Sequence, residues 1–109
     1  MRITQNGGGD TLTVRDAGNA AQLPLGSVNL AGTNYVTTTR DFGVTGTAST
    51  MTQSGASITI VLGTASGAVA TQASNTTMVW PPVATVTDRA GNACLTTVVN
   101  EAAPADIDF

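Results

Sequence analysis

The chain has 109 residues, the length of one ordinary domain, and a formal net charge of −3. It contains no lysine and no histidine, which excludes Schiff-base lysines, histidine-based nucleophilic triads and histidine-ligated zinc. Its single cysteine, Cys94, rules out a disulfide within the chain and is expected to be a small buried apolar residue. The four arginines form no basic stripe, so nucleic acid is not an expected partner.

The sequence predicts no membrane insertion. No apolar run approaches the ~20 residues that a membrane-spanning helix needs. No apolar stretch of ~7 to 15 residues follows Met1 either, which is what a signal peptide requires. For a secreted protein, the export signal is therefore expected outside this chain.

The first predicted element is an N-terminal hairpin with a period of two residues. Residues 10–15 alternate polar and apolar side chains, which places Leu12 and Val14 on one face of a strand. Residues 2–5 form the predicted partner strand, and the glycine-rich segment 6–9 permits the turn between them.

A second hairpin is predicted in the middle of the chain. A threonine-rich strand over 45–53 leads through a turn at 54–56 into a strand over 57–62. Three apolar side chains of the second strand are predicted to face inward: Ile58, Ile60 and Leu62. Short extended segments are also predicted at 27–30, 35–39 and 68–72.

The last predicted elements follow a pair of prolines. A strand over 76–80 ends at 81–82, because proline lacks the amide donor that a strand ladder requires. A final hairpin pairs 83–87 with 94–99 through the turn 88–92, whose Asp, Gly and Asn residues favour such a turn.

Together these elements predict an all-β fold. About seven or eight short strands at intervals of roughly 8 to 12 residues, with no segment of helical spacing, are typical of an antiparallel β-sandwich. A closed barrel or a β-solenoid is the alternative, although no fixed internal period supports a solenoid. The predicted domain covers 1–101, and 102–109 is predicted to be a C-terminal linker or tail.

Residues 84–93, with the sequence Ala-Thr-Val-Thr-Asp-Arg-Ala-Gly-Asn-Ala, resemble the V-x-D-x-A-G-N turn near the end of many bacterial Ig-like repeats. Shorter similarities to the same repeats occur at 25–30, 34–36, 57–63 and 80–82. The resemblance implies an Ig-like sandwich in a secreted or cell-surface bacterial protein. Such repeats usually begin with one more strand, so it also implies a fragment whose open sheet edge invites a strand from another chain.

Two aromatic residues are candidate ligand-binding residues. Trp80 and Tyr35 are the side chains available to an aromatic platform for a sugar, as in carbohydrate-binding modules on this scaffold. The alternative is that Trp80 anchors the core, because its ring buries a large apolar area. Since only 4% of the chain is aromatic, little remains for a wider stacking surface.

Several oxygen-bearing side chains near the C-terminus are candidate calcium ligands at a domain junction, as between some Ig-like repeats. These candidates are Asp88, Asn92, Glu101, Asp106 and Asp108. The alternative is that Asp88 and Asn92 only stabilise their own turn, since Asp and Asn side chains bond to nearby backbone.

The sequence predicts no catalytic residue and no enzyme activity, because a glycosidase-like site needs two carboxylates across a cleft and these acids lie in turns and in the tail. The predicted function is a structural or adhesive module of an extracellular or cell-surface protein, without a cofactor. Its expected partners are other protein domains, copies of itself through sheet edges, or cell-surface glycans. A carbohydrate-binding module and a virion decoration or fibre domain are the alternatives.

Overall fold

The structure is a computed structural model that describes residues 1–55, 57–105 and 107. These residues form no helix, and therefore no helix that could cross a bilayer. They form eight short strands: β1 (Arg2–Thr4), β2 (Thr11–Thr13), β3 (Val28–Asn29), β4 (Arg40–Asp41), β5 (Thr50–Ser54), β6 (Ser57–Val61), β7 (Val79–Trp80) and β8 (Val99–Asn100). The predicted all-β, sandwich-like fold is confirmed.

Six of these strands form one antiparallel sheet in the order β4-β1-β2-β3-β7-β8. The predicted N-terminal hairpin is its centre, with Ile3 paired to Leu12 across β1 and β2. Its turn is closed by a 3.1 Å hydrogen bond from the Gly9 amide to the Asn6 carbonyl. The local alternation of side chains therefore predicted both the strands and their pairing.

The buried core lies on this half of the molecule. Its members are all apolar, all come from the first 42 residues, and are Ile3, Leu12, Leu30, Tyr35, Val36 and Phe42. Met1, Val28, Leu62, Ala65 and Met78 pack around its edge. The C-terminal half of the described chain contributes only partly buried side chains to this cluster.

The predicted central hairpin is β5–β6, which forms a separate two-stranded sheet. Met51 pairs with Ile60 across it, and the first strand begins at Thr50 rather than at residue 45. Ile58 lies with Ile60 on the hairpin face that is turned towards the six-stranded sheet, but it is not buried as an inward residue should be, because its side chain is 56% exposed. The reason is that β5 and β6 do not pack closely against the strands of the six-stranded sheet, so the face bearing Ile58 is incompletely covered.

Three other predicted extended segments differ in the structure. Residues 35–39 form no strand, and the next strand along the chain is β4, which pairs with β1. Residues 68–72 also form no strand. The final hairpin is reduced to one bridge between Thr87 and Ala93, and β8 pairs with β7 rather than with 83–87.

A candidate apolar cleft beside Trp80

The indole of Trp80 is held in one orientation by its neighbours. Its Nε1 donates a 2.9 Å hydrogen bond to the Leu25 carbonyl. The next residue, Gly26, has φ +82°, and a Cβ there would lie 2.5 Å from the Pro81 carbonyl and 3.2 Å from Trp80 Nε1. Only glycine combines this backbone conformation with such a close approach. The segment before β3 therefore fixes the half-buried indole on the face of the sheet.

A cleft of about 330 Å³ separates this face of the six-stranded sheet from the β5–β6 hairpin. The side chains that define it come from both sheets: Leu12, Val28 and Trp80 on one wall, and Met51, Ile58 and Ile60 on the other. Met51 and Ile58 remain exposed, so the cleft is open to solvent on one side. It is the space that a tightly closed sandwich would fill with interdigitated side chains.

The cleft contains no charged, amide or hydroxyl side chain among the described residues that line it. Its one strong donor, Trp80 Nε1, is already bonded to Leu25. The Cys94 thiol also lines the cleft and donates to the Leu95 carbonyl at 3.4 Å. The cleft therefore has the chemistry of an apolar site and offers no polar side chain to the hydroxyls of a sugar.

A wider and more open groove of about 540 Å³ adjoins the cleft. It shares Gly26, Pro82 and Val83 with the cleft but also exposes polar side chains such as Gln22. Gln22 Nε2 donates to the Gly26 carbonyl at 3.3 Å and to Ser27 Oγ at 3.2 Å. Its polar groups thus hold the loop before β3, and the groove is shallow.

Tyr35 and Trp80, the two candidate aromatic residues, do not form a platform. Tyr35 belongs to the core, is 2% exposed, and has its hydroxyl 3.4 Å from Thr76 Oγ1. Its ring face is covered and cannot stack on a sugar. Trp80 lines the cleft instead, so the structure separates two residues that the sequence analysis had grouped.

The candidate calcium ligands Asp88 and Asn92 lie together in one turn. Asp88 Oδ1 accepts hydrogen bonds from the amides of Ala90 and Asn92, and Oδ2 accepts one from Asn92 Nδ2, at 2.8 to 2.9 Å. The bonds from Asn92 and the Ala90 amide hold the pKa of Asp88 below its ordinary value. This is the turn-stabilising geometry that the sequence analysis gave as the alternative to calcium.

The other candidate calcium ligands do not join this turn in the described structure. Glu101 accepts a 3.0 Å hydrogen bond from the Met78 amide. Asp106 and Asp108 lie outside the described residues. Within residues 1–55, 57–105 and 107, no group of three or more acidic or cysteine side chains is placed to hold a metal ion.

Carboxylates elsewhere in the described chain serve the same structural purpose. Asp10 accepts bonds from two backbone amides, Asp16 from the Ala20 amide, and Asp41 from the Arg2 guanidinium. Asp10 is fully buried, which the sequence analysis did not foresee. The sequence could indicate its bond from the Asn6 amide, because Asp10 directly follows the glycine-rich turn. It could not indicate the bond from the Val36 amide, which is 26 residues away.

A segment at the end of the sheet also stands out. β8 is the last strand of the six-stranded sheet, and Leu95 and Val98 before it and Val99 within it are exposed. Leu95 is 80% exposed, which is the highest value among the large apolar side chains of the described residues.

No family model, curated protein or solved structure matches the chain. The resemblance to bacterial Ig-like repeats therefore stays a prediction from sequence. The two features of the described structure that bear on function are the apolar cleft and the β8 edge.

Proposed function

We propose that this chain is a non-catalytic structural or adhesive module of an extracellular or cell-surface protein, and that it associates with copies of itself through the β8 edge. The observation that carries the proposal is the uncharged, exposed apolar segment that leads into this strand. An open edge presents unpaired backbone groups to which a further strand can add.

The β8 strand is only two residues long, but neither it nor the segment before it carries a charge or a proline. β8 pairs with β7 on one side, and no described strand pairs with its other side. Within the described chain, the amides of 95–98 have no hydrogen-bond acceptor. Charged side chains and prolines are two of the means by which proteins block edge pairing, and residues 94–100 include neither.

The sequence of this segment also suits pairing with a second copy. In an antiparallel pair centred on Thr97, Leu95 of each copy would lie opposite Val99 of the other. A two-fold interface is self-complementary in this way, and each apolar cross-strand pair contributes roughly 0.2 to 1 kcal/mol. Because so short an edge buries little area, we expect weak and concentration-dependent association.

The placement of the ionisable groups supports a non-catalytic role. Every described carboxylate accepts a bond from a backbone amide or from Arg2, and these bonds hold turns and loops in place. Histidine and lysine are absent from the sequence. A carbohydrate-binding role has less support, since Tyr35 is buried and the described lining of the cleft beside Trp80 has no charged, amide or hydroxyl side chain.

Sedimentation equilibrium from low micromolar to millimolar protein tests the proposal. We expect the average mass of the wild type to rise towards that of a dimer. Leu95→Lys should remain monomeric, because it introduces like charges into the paired edges and its exposed position should tolerate lysine. Val44→Lys is the matched control, since Val44 is 57% exposed and follows β4 at the opposite edge of the sheet.

Two results would contradict the proposal. One is a wild type that stays monomeric over the whole concentration range. The other is equal loss of association in Leu95→Lys and Val44→Lys, because that would show a general effect of charge rather than pairing at β8.

A further inference from the structure

The cleft between the two sheets has the size of a small-molecule site. Its volume of about 330 Å³ falls at the lower end of the roughly 300 to 1,000 Å³ that ligand pockets span. It is about twice the ~150 Å³ of an engineered apolar cavity that stays dry and takes up benzene. A ligand of one aromatic ring or a short aliphatic chain therefore fits it.

The lining selects the chemistry of the occupant. A charged or hydroxylated ligand would lose its hydration without gaining partners, since the one strong donor, Trp80 Nε1, is bonded to Leu25. A peptide strand meets the same obstacle, because its buried amides and carbonyls also need partners. The strands of one wall are paired within the six-stranded sheet, and β5 and β6 of the other wall are paired with each other.

The wall formed by the hairpin is suited to cover an apolar guest. Met51 and Ile60 are cross-strand partners, and Ile58 lies on the same face of the hairpin two residues from Ile60. Met51 and Ile58 keep a large exposed area that an occupant would cover. Methionine adapts readily to the shape of an apolar partner.

From this geometry we propose that the cleft binds a small, uncharged apolar molecule, aromatic or aliphatic, in contact with the indole of Trp80. The proposal is independent of association at β8, because Leu95, Val98 and Val99 do not line the cleft.

Trp80 supplies the test, because it is the only tryptophan in the chain and lines the proposed site. Bromobenzene is an uncharged aromatic probe whose heavy atom quenches indole fluorescence on contact. We expect its titration to quench Trp80 along a saturating curve with one site per chain. Quenching that increases linearly with bromobenzene would reflect collisions alone and would overturn the proposal.

A pair of variants on β6 separates the cleft from the rest of the hairpin. Ile58 and Val61 have nearly equal exposure, 56% and 55%, but lie on opposite faces of the strand. Ile58→Asp places a carboxylate at the cleft and should weaken bromobenzene binding by about tenfold or more. Val61→Asp should leave the affinity unchanged, and equal weakening in both variants would refute the assignment.

Isoleucine methyl spectra of the wild type provide a measurement that needs no substitution. The chain has four isoleucines, of which Ile58 and Ile60 line the cleft and Ile3 lies in the core. Bromobenzene should shift the methyl signals of Ile58 and Ile60 and leave those of Ile3 in place. Equal shifts at all three positions would contradict a defined site.

A further outcome would assign the cleft to a protein partner. If Ile58→Asp abolishes self-association while bromobenzene fails to quench Trp80, the cleft is an interface between copies and the proposed ligand site is wrong. Failure of the β8 proposal is distinguished from this result by the mass of Leu95→Lys, which does not alter the lining of the cleft.

Discussion

At the residue scale, Asp10 connects parts of the core that no strand ladder joins. Its side chain is fully buried and accepts hydrogen bonds from the amides of Asn6, at 3.0 Å, and Val36, at 3.2 Å. Its own amide donates to the Gly32 carbonyl at 2.6 Å. A single carboxylate thus fixes the turn of the first hairpin against the irregular segment that carries Tyr35.

Replacement of Asp10 by alanine should destabilise the protein by about 3 kcal/mol. It removes the acceptor of two amides near the core, and each bond to a charged group contributes about 1.5 to 3 kcal/mol. Urea unfolding measures the change. Asp16→Ala is the control, because Asp16 is exposed and accepts one amide, so its loss should cost under about 1 kcal/mol. Equal losses in the two variants would show that burial of Asp10 is not decisive.

A second polar contact, between Arg2 and Asp41, joins β1 to β4. Arg2 Nε donates to Asp41 Oδ1 at 2.7 Å and Nη2 donates to Oδ2 at 3.2 Å, which is a bidentate pair. The Arg2 hydrogen bond holds the pKa of Asp41 below its ordinary value. Both side chains remain partly exposed, so the pair contributes modestly to stability.

The lowered pKa of Asp41 predicts the sign of a pH effect. A carboxyl whose pKa is lower in the folded state stabilises the fold above its unfolded pKa of ~3.9, and loses this contribution as pH falls through the folded pKa. The difference in unfolding free energy between the wild type and Asp41→Asn should therefore be constant near neutral pH and shrink below about pH 4. Chemical unfolding at a series of pH values measures it, and a difference that grows on acidification would disprove the assignment.

At the scale of elements, the β5–β6 hairpin depends on its base. Ser49 Oγ donates to the Phe42 carbonyl at 3.0 Å and accepts from the Gly63 amide at 2.8 Å. A Cβ at Gly63 would overlap the Thr47 carbonyl and the backbone of the next residue. The hairpin is therefore tied to the core through close backbone contacts at one end.

Gly63→Ala should loosen this hairpin. The added methyl group cannot be accommodated without a backbone shift, for which we expect a cost of about 1 to 3 kcal/mol. Amide hydrogen exchange should become faster in β5 and β6, whereas the β1–β2 hairpin should keep its protection.

Gly7→Ala is the matched control, since a Cβ at Gly7 has no neighbour within 4 Å. It should change the stability by less than about 0.5 kcal/mol. Unchanged exchange in β5 and β6 of Gly63→Ala would show that the contact at the hairpin base is unimportant.

At the scale of the whole molecule, the fold is more open than its size requires. The accessible surface is 6623 Å² for a chain of 10.9 kDa, against about 5,600 Å² for a typical folded monomer of this mass. The radius of gyration is 14.2 Å, against about 13 Å for a compact domain of this length. Large apolar side chains that line the cleft, such as Ile58, and that precede β8, such as Leu95, remain exposed in this open fold.

The hairpins were predictable because their signals are local. Alternating side chains around Leu12 and Ile60, with glycine-containing turns between the strands, indicate pairing between neighbours in the chain. The turn at Asp88 was predictable for the same reason, since all of its hydrogen bonds span four residues or fewer.

The sequence by itself thus determined the all-β class, the two nearest-neighbour hairpins, and the absence of histidine and lysine chemistry. Only the tertiary structure decided that β8 pairs with β7, that Tyr35 enters the core while Ile58 stays exposed, and that a cleft opens beside Trp80. The physical reason is distance along the chain. Periodicity shows which side of a strand is apolar, but how well that side is covered depends on where remote segments pack.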